Sequence, residues 1–297
     1  MSRTLIHIGK IYDSHSHAHR IYDITSKINF FYILKKGISY TEYNRRNSNS
    51  KDFYLYDLYK SVENCKTGNN LYKLSCKIKN CQIYDLCIWR LIEQKFYEFH
   101  KELKPKEISS IINHFKQIKI NDNKIYENCI DIILPTIGKY SIRDLSVLCL
   151  SLTYFSKVNT FFMNTIADSI IKIYENEKTN IHNLSKKSLQ QNFISYVHII
   201  GAYSKAGIKN IELFKIASVY IYETLNSDIY VAPNYIIKIV KSYSNVKIKH
   251  SKIFELIAKQ IPTIKITDEE LKSIKQSLDQ LNYSNETLDK YIQYRLS

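Results

Sequence analysis

Apolar residues recur along this chain with the spacing of one helix face, and they come in pairs of short segments separated by a few polar residues. Counted from Ile108, apolar side chains stand at offsets 0, 3, 7 and 10 (Ile108, Ile111, Phe115, Ile118) and again at 17, 21 and 25 (Ile125, Cys129, Ile133). The first four share one face of a helix and the last three share one face of a second. The same seven-position template fits from Leu71, Leu145, Tyr196, Ile236 and Leu271, and all 42 positions are apolar. With 44% apolar residues in the chain, one such match arises by chance in roughly 0.3% of frames, or about a tenth once the frame is chosen freely. Six in order are not chance. The origins are spaced by 37, 37, 51, 40 and 35 residues, which places one insertion between the third and fourth pairs, around Asn176 to Lys187.

Local signals mark the same helix starts. Pro105 and Pro233 each lie three residues before an origin, where a helix tolerates proline because its missing N–H would have no partner. Asp268, with Glu269 and Glu270 behind it, suits the positive end of a helix before the last origin. Only 6 Gly and 4 Pro occur, too few for the turns of a sheet protein. The pattern therefore predicts an all-α fold, an α-solenoid of about six helix–turn–helix repeats over residues 69–297. More than half of the chain should be helical, and a strand within 105–133 or 233–261 would sink the assignment.

Residues 1–68 do not fit the template and read as an N-terminal extension that caps the array, with Asn44 to Ser50 (NRRNSNS) a solvated loop. Residues 1–12 carry Arg3 and Lys10 and no acid, with Leu5, Ile8 and Tyr12 at helical spacing, as in a mitochondrial targeting segment. No apolar run approaches the ~18 residues of a membrane span, so a soluble protein without a membrane partner is expected.

Charge changes the picture from fold to function. The chain has 36 Lys, 47 Ile and 25 Tyr, the usage of codons rich in A and T, and part of its +15 charge follows from that bias. Bias would spread lysine evenly, yet offsets 0 to 11 hold 11 Lys and one acid, whereas offsets 14 to 26 hold 8 basic and 10 acidic residues. The first helices are basic and the second are not. Offsets 2, 6 and 9 lie together about 110° from the apolar stripe, and no acid stands among their 18 residues. Stacked first helices would merge these stripes into one exposed surface suited to a phosphate backbone. The candidate RNA-binding residues are Lys73, Lys77, Lys116, Lys119, Tyr154, His198, Lys205, Lys209, Lys238, Lys241, Asn245, Lys247 and Lys249, with Tyr154 or Tyr203 placed to stack on bases.

Other chemistry is sparse. Asp13, His15, His17 and His19 (DSHSHAH) have no second cluster to complete a metal site, so no metal or other cofactor is expected. The six cysteines form no CxxC pair; they read as thiols of a reducing compartment, and Cys81 and Cys129 fall on template core positions as small buried hydrophobes. There is no glycine-rich phosphate loop, HExxH or GxSxG, and the chain reads as a binding protein, not an enzyme.

The 37-residue period and stretches such as Ala202 to Ser218 (AYSKAGIKNIELFKIAS) and Ser242 to Lys259 (SYSNVKIKHSKIFELIAK) resemble heptatricopeptide repeats. These are FAST-kinase-like, octotricopeptide-like helical repeats of organellar RNA-binding proteins in apicomplexans. The resemblance covers about residues 69–297. It implies an α-solenoid acting on mitochondrial RNA, as an rRNA-binding component or assembly factor of the mitochondrial ribosome, with neighbouring ribonucleoprotein subunits as partners. A scaffold subunit of another organellar complex is the alternative. Many relatives end in a small nuclease-like RAP module; here the last repeat runs to Leu296. Tetratricopeptide repeats match less well, because their Trp, Gly and Pro positions are not seen.

Overall fold

The structure, a computed structural model, describes residues 50–120, 124–156 and 158–297. The DSHSHAH run, the targeting-like segment and residues 44–49 lie outside them. Among the described residues there are thirteen α-helices and no strand. None is long and apolar enough to cross a membrane. They are α1 (Ser50–Glu63), α2 (Gly68–Asn80), α3 (Leu86–Phe99), α4 (Pro105–Gln117), α5 (Ile125–Ile133), α6 (Ile142–Tyr154), α7 (Thr160–Glu177), α8 (Lys186–Lys205), α9 (Ile211–Leu225), α10 (Pro233–Asn245), α11 (Ser251–Gln260), α12 (Asp268–Asp279) and α13 (Glu286–Leu296).

The chain divides into two compact units. The first holds the residues up to Cys65 together with Tyr84–Ile92; its described buried side chains are Leu58, Val62, Cys65, Ile88, Trp89 and Ile92. The second holds Lys66–Ile83 and Glu93–Ser297. Within it α2, α4, α6, α8, α10 and α12 pack on one another in chain order, and α7, α9, α11 and α13 form a second row in the same order.

The starts of α2, α4, α6, α10 and α12 fall three residues before the template origins, while α8 begins ten residues early. The expected insertion is spent on length: α7 has 18 residues and α8 has 20, joined through a 3-10 turn at Lys178–Asn183. Most helices here are under 16 residues, marginal in isolation, so burial holds them. The 42 template positions are buried except Leu74, Phe155, Ala206 and Leu296, which are half-buried, and Cys81. Each buried Ile, Leu or Phe contributes about 1.5–3 kcal/mol, far more than helix propensity.

Cys81 is exposed, against the expectation of a core thiol. It is the C-cap of α2, where the chain has already begun to leave the helix axis. Cys129 and Cys149 are buried, and burial pushes both thiols up to about 12.

The turns repeat more faithfully than the helices. Gln82, Lys119, Ser156, Gly207, Lys247 and Asn282 have φ between 50° and 69°, and each is the eleventh residue after its template origin. In five of the six the next residue's N–H reaches back to the carbonyl five positions earlier: Ile83 to Ile78, Ile120 to Phe115, Ile208 to Tyr203, Ile248 to Tyr243 and Tyr283 to Leu278. This is the Schellman closure with its apolar follower, built on glycine only at Gly207. Three residues after the left-handed position, Asp85, Asn159, Asn210 and Asn285 accept the N–H of the residue three ahead and cap the second helix. At the last first helix the cap is Thr267, closed by a reciprocal bond with Glu270.

Two tyrosines at template offset 7 stitch consecutive pairs. The hydroxyl of Tyr203 donates to the Met163 carbonyl, and that of Tyr243 to the Phe214 carbonyl at 3.1 Å. Met163 and Phe214 are themselves equivalent, each eighteen residues after its origin.

The polar stripe is not one exposed surface. At offset 6 His114, Ser151, Ala202, Ser242 and Ser277 are buried, and Lys77 alone is exposed. A first helix touches a neighbour on each side as well as its second helix, so a wider arc is covered than the apolar template marks. Small residues let the helices approach. Their hydroxyls are satisfied at home, Ser151 on the Val147 carbonyl at 2.8 Å, Ser242 on Lys238 at 2.6 Å and Ser277 on Ser273 at 2.8 Å.

Candidate nucleic-acid interface

Exposure is most regular at the end of each first helix and the turn after it. At offsets 9, 11 and 13 of the second unit the rim reads Asn80 and Gln82; Gln117 and Lys119; Tyr154 and Ser156; Lys205, Gly207 and Lys209; Asn245, Lys247 and Lys249; Gln280, Asn282 and Ser284. These fifteen are exposed and none is acidic; Val158, at offset 13 of the third pair, is half-buried. Cations at helix C-termini also meet the negative end of the helix dipole, which helps to seat Lys116 and Lys205 in the last turns of α4 and α8. Lys205 Nζ donates to the Tyr154 carbonyl at 3.4 Å and Lys249 Nζ to the Asn282 carbonyl at 2.9 Å.

The thirteen candidates fall into two groups. Lys73, Lys77, Lys119, Tyr154, Lys205, Lys209, Lys241, Asn245, Lys247 and Lys249 are exposed, whereas Lys116, His198 and Lys238 are half-buried. Nothing in the structure brings Lys73 and Lys77, on α2, together with Lys241, Lys247 and Lys249. It does bring together Lys116, Tyr154, His198, Lys205 and Lys238 from α4, α6, α8 and α10. The ammonium groups of Lys116 and Lys205 lie 5.9 and 5.6 Å from the centre of the Tyr154 ring, a cation–π arrangement. Burial, then the charge of Lys205, lowers the pKa of Lys116. Burial, then the charge of Lys116, pulls Lys238 down to about 8. Burial, followed by Lys238 and Lys116, brings His198 to about 4, so its imidazole is neutral at pH 7. No carboxylate contributes to any of the three.

None of the candidate lysines forms an ion pair among the described residues. On the second helices Lys95, Lys215, Lys259 and Lys290 each bind a glutamate one turn away, at 2.8, 3.3, 2.9 and 2.6 Å. The contrast is one of availability, since exposed pairs of this kind add little stability.

Tyr203 is not a stacking platform. It is fully buried with its hydroxyl engaged, because offset 7 faces the preceding pair. Tyr154 stays 40% exposed. His114 is buried rather than on the surface. Ser75 donates its hydroxyl proton to the Tyr72 carbonyl at 2.8 Å, so at 3.1 Å it accepts from His114 Nδ1. That leaves the Nε2 lone pair facing Cys76 Sγ at 3.9 Å. Burial and the charge of Lys79 bring this imidazole to about 4, too weak a base to activate the thiol.

Gly201 stands outside the charge pattern that picks out the candidates, yet it belongs to this cluster. A Cβ there would stand 2.2 Å from Lys238 Cε, so the Lys238 side chain lies across the glycine of α8. A glycine inside a periodic helical segment is the mark of such a close approach. Comparison with known proteins adds no identity, since no protein-family model and no curated protein matches the chain.

Proposed function

We propose that the chain is a non-enzymatic helical repeat protein that binds RNA through the acid-free rim and the half-buried lysines beside it. Its six helix pairs form an α-solenoid with a period near 37 residues. The six left-handed turns at one template offset, and the equivalent Tyr203 and Tyr243 bonds, support that period. The single observation that carries the function is a contrast in pairing. No candidate lysine of the first helices and rim has a carboxylate partner among the described residues, whereas Lys95, Lys215, Lys259 and Lys290 of the second helices each pair with a glutamate. Lys275, held by Asp279 and Asp289, is the first-helix exception. Open lysines bind phosphates and release condensed counterions. Asn80, Gln117, Asn245 and Gln280 on the same rim add hydrogen-bonding groups for phosphate, ribose or base edges.

The resemblance to organellar RNA-binding repeats favours a mitochondrial rRNA-binding component or assembly factor of the ribosome. The test is a salt titration of binding to single-stranded RNA. The log of affinity should fall linearly and steeply with log salt; a flat line would end the reading. A protein scaffold is the second reading, favoured by Phe161 and Ile211, which are 68% and 55% exposed at the starts of the packed helices α7 and α9. Co-sedimentation with a large particle that survives ribonuclease would select it.

A further inference from the structure

Lys116 and Lys205 are accounted for in part by the carbonyl ends of the helices they close. Lys238 is not. It stands mid-helix in α10, away from the carbonyl end that would favour a cation. It is half-buried, it lies near Lys116, and its path requires that position 201 have no side chain. A lysine needed only for solubility would swing outward to water and leave α8 free to carry alanine, the better helix former. Lys116 and Lys205 share the Tyr154 ring, and Lys238 Nζ comes within 3.2 Å of a Cβ at Gly201, one turn before Lys205 on α8. Cations gathered there without a carboxylate repel one another and lose hydration. An anion held between them reverses both effects.

The number of cations points to the kind of anion. A phosphodiester within a strand carries one charge and two free oxygens. A phosphomonoester carries nearly two charges and three acceptor oxygens, one for each ammonium group. We infer that Lys116, Lys205 and Lys238 form a seat for a phosphomonoester, the group that ends a phosphorylated polynucleotide strand, with Tyr154 and Gly201 as positioning residues. Tyr154 holds two of the ammonium groups over its ring, and Gly201 clears the path of the third. The inference rests on the RNA reading above and deepens it from a charged surface to the recognition of a strand end.

The experiment uses the full chain and three oligoribonucleotides of one sequence, carrying a 5′-phosphate, a 3′-phosphate or hydroxyls at both ends. Affinity is read by fluorescence anisotropy. One phosphorylated end should bind about tenfold more tightly than the hydroxyl form, the effect of one charge-assisted hydrogen bond. Inorganic phosphate should compete with that strand and not with the hydroxyl one. The preference should vanish in Lys238→Gln and in Gly201→Ala. Gly201→Ala is the safer variant, because the atom that Ala would meet is near the end of a flexible side chain and alanine favours the helix. Its melting temperature should not fall. Equal affinity for all three strands overturns the inference while RNA binding stands, and so does a preference that persists in both variants. If no strand binds, the RNA reading falls and the inference falls with it.

Discussion

The two rows of helices share one apolar template and treat lysine in opposite ways. On the second row Lys95, Lys215, Lys259 and Lys290 each meet a glutamate one turn away, so these charges are answered on their own helix. On the first row only Lys275 is answered in this way, by Asp279 and Asp289; Lys116 and Lys238 instead feel the charge of a lysine from another first helix and of no carboxylate. The same residue thus serves solubility in one place and is held open in the other. Total charge does not separate these uses; local pairing does.

The largest expected effect breaks the comparison directly. Replacing Lys205, Lys238, Lys241 and Lys247 by Gln should weaken RNA binding and flatten the log–log salt dependence by about one unit for each phosphate that is no longer neutralised. Replacing Lys215, Lys252 and Lys259 should change little, since Lys215 and Lys259 already have carboxylate partners. Equal losses of affinity from both sets, measured by filter binding across salt, would mean that the charge acts diffusely.

A second test addresses packing between first helices. Ser242 is buried and bonded to its own helix, so Ser242→Leu should overpack the space beside it and cost about 1–3 kcal/mol in chemical denaturation. The same change at an exposed stripe position would be nearly neutral.

The pH dependence sharpens the comparison because stability and binding move in opposite directions. Unfolded, Lys238 keeps its proton to 10.5; folded, it releases it near 8. Between those values the folded state binds fewer protons, so this group makes stability rise with pH. An anion favours the charged lysine, so RNA affinity should fall as pH rises through 8. At the acid end His114 and His198 titrate near 4 in the folded chain against 6.5 unfolded, and stability should be lost as pH falls through that interval. Lys238→Met should abolish the alkaline rise.

The smallest effect concerns the turns. Gln82→Gly should stabilise by about 1 kcal/mol by removing a left-handed non-glycine residue, and Gly207→Ala should destabilise by about as much. Thermal melts of the two variants, displaced to opposite sides of the parent, would tie the two turns to one geometry.

The helices were legible because burial acts on apolar residues, and the template follows them. Ile108, Ile111 and Phe115 are all fully or nearly fully buried. The width of the buried arc was not legible. Ser151 and Ser242 are polar letters that bury cheaply by bonding to their own helix, so nothing in the letters signals that a neighbour covers them. The capping Asn159, Asn210 and Asn285 stand in plain sight three residues before template positions, and a search for apolar period alone ignores them. The left-handed turns were hidden for a different reason. Gln, Lys, Ser and Asn fill five of the six, so the usual glycine mark is missing. The candidate lysines are visible by charge, but Gly201 needed the spatial neighbour that explains it.

Those turns have a consequence for how such a protein can change over generations. At Gln82, Lys119, Gly207, Lys247 and Asn282 the backbone shape is closed by the bond to the preceding helix and followed by an apolar residue or Tyr283, and each of these five residues is exposed. They are therefore places where one letter can be rewritten without re-solving the structure around it. Substitutions there should alter the chemistry of the rim while leaving the helix packing in place.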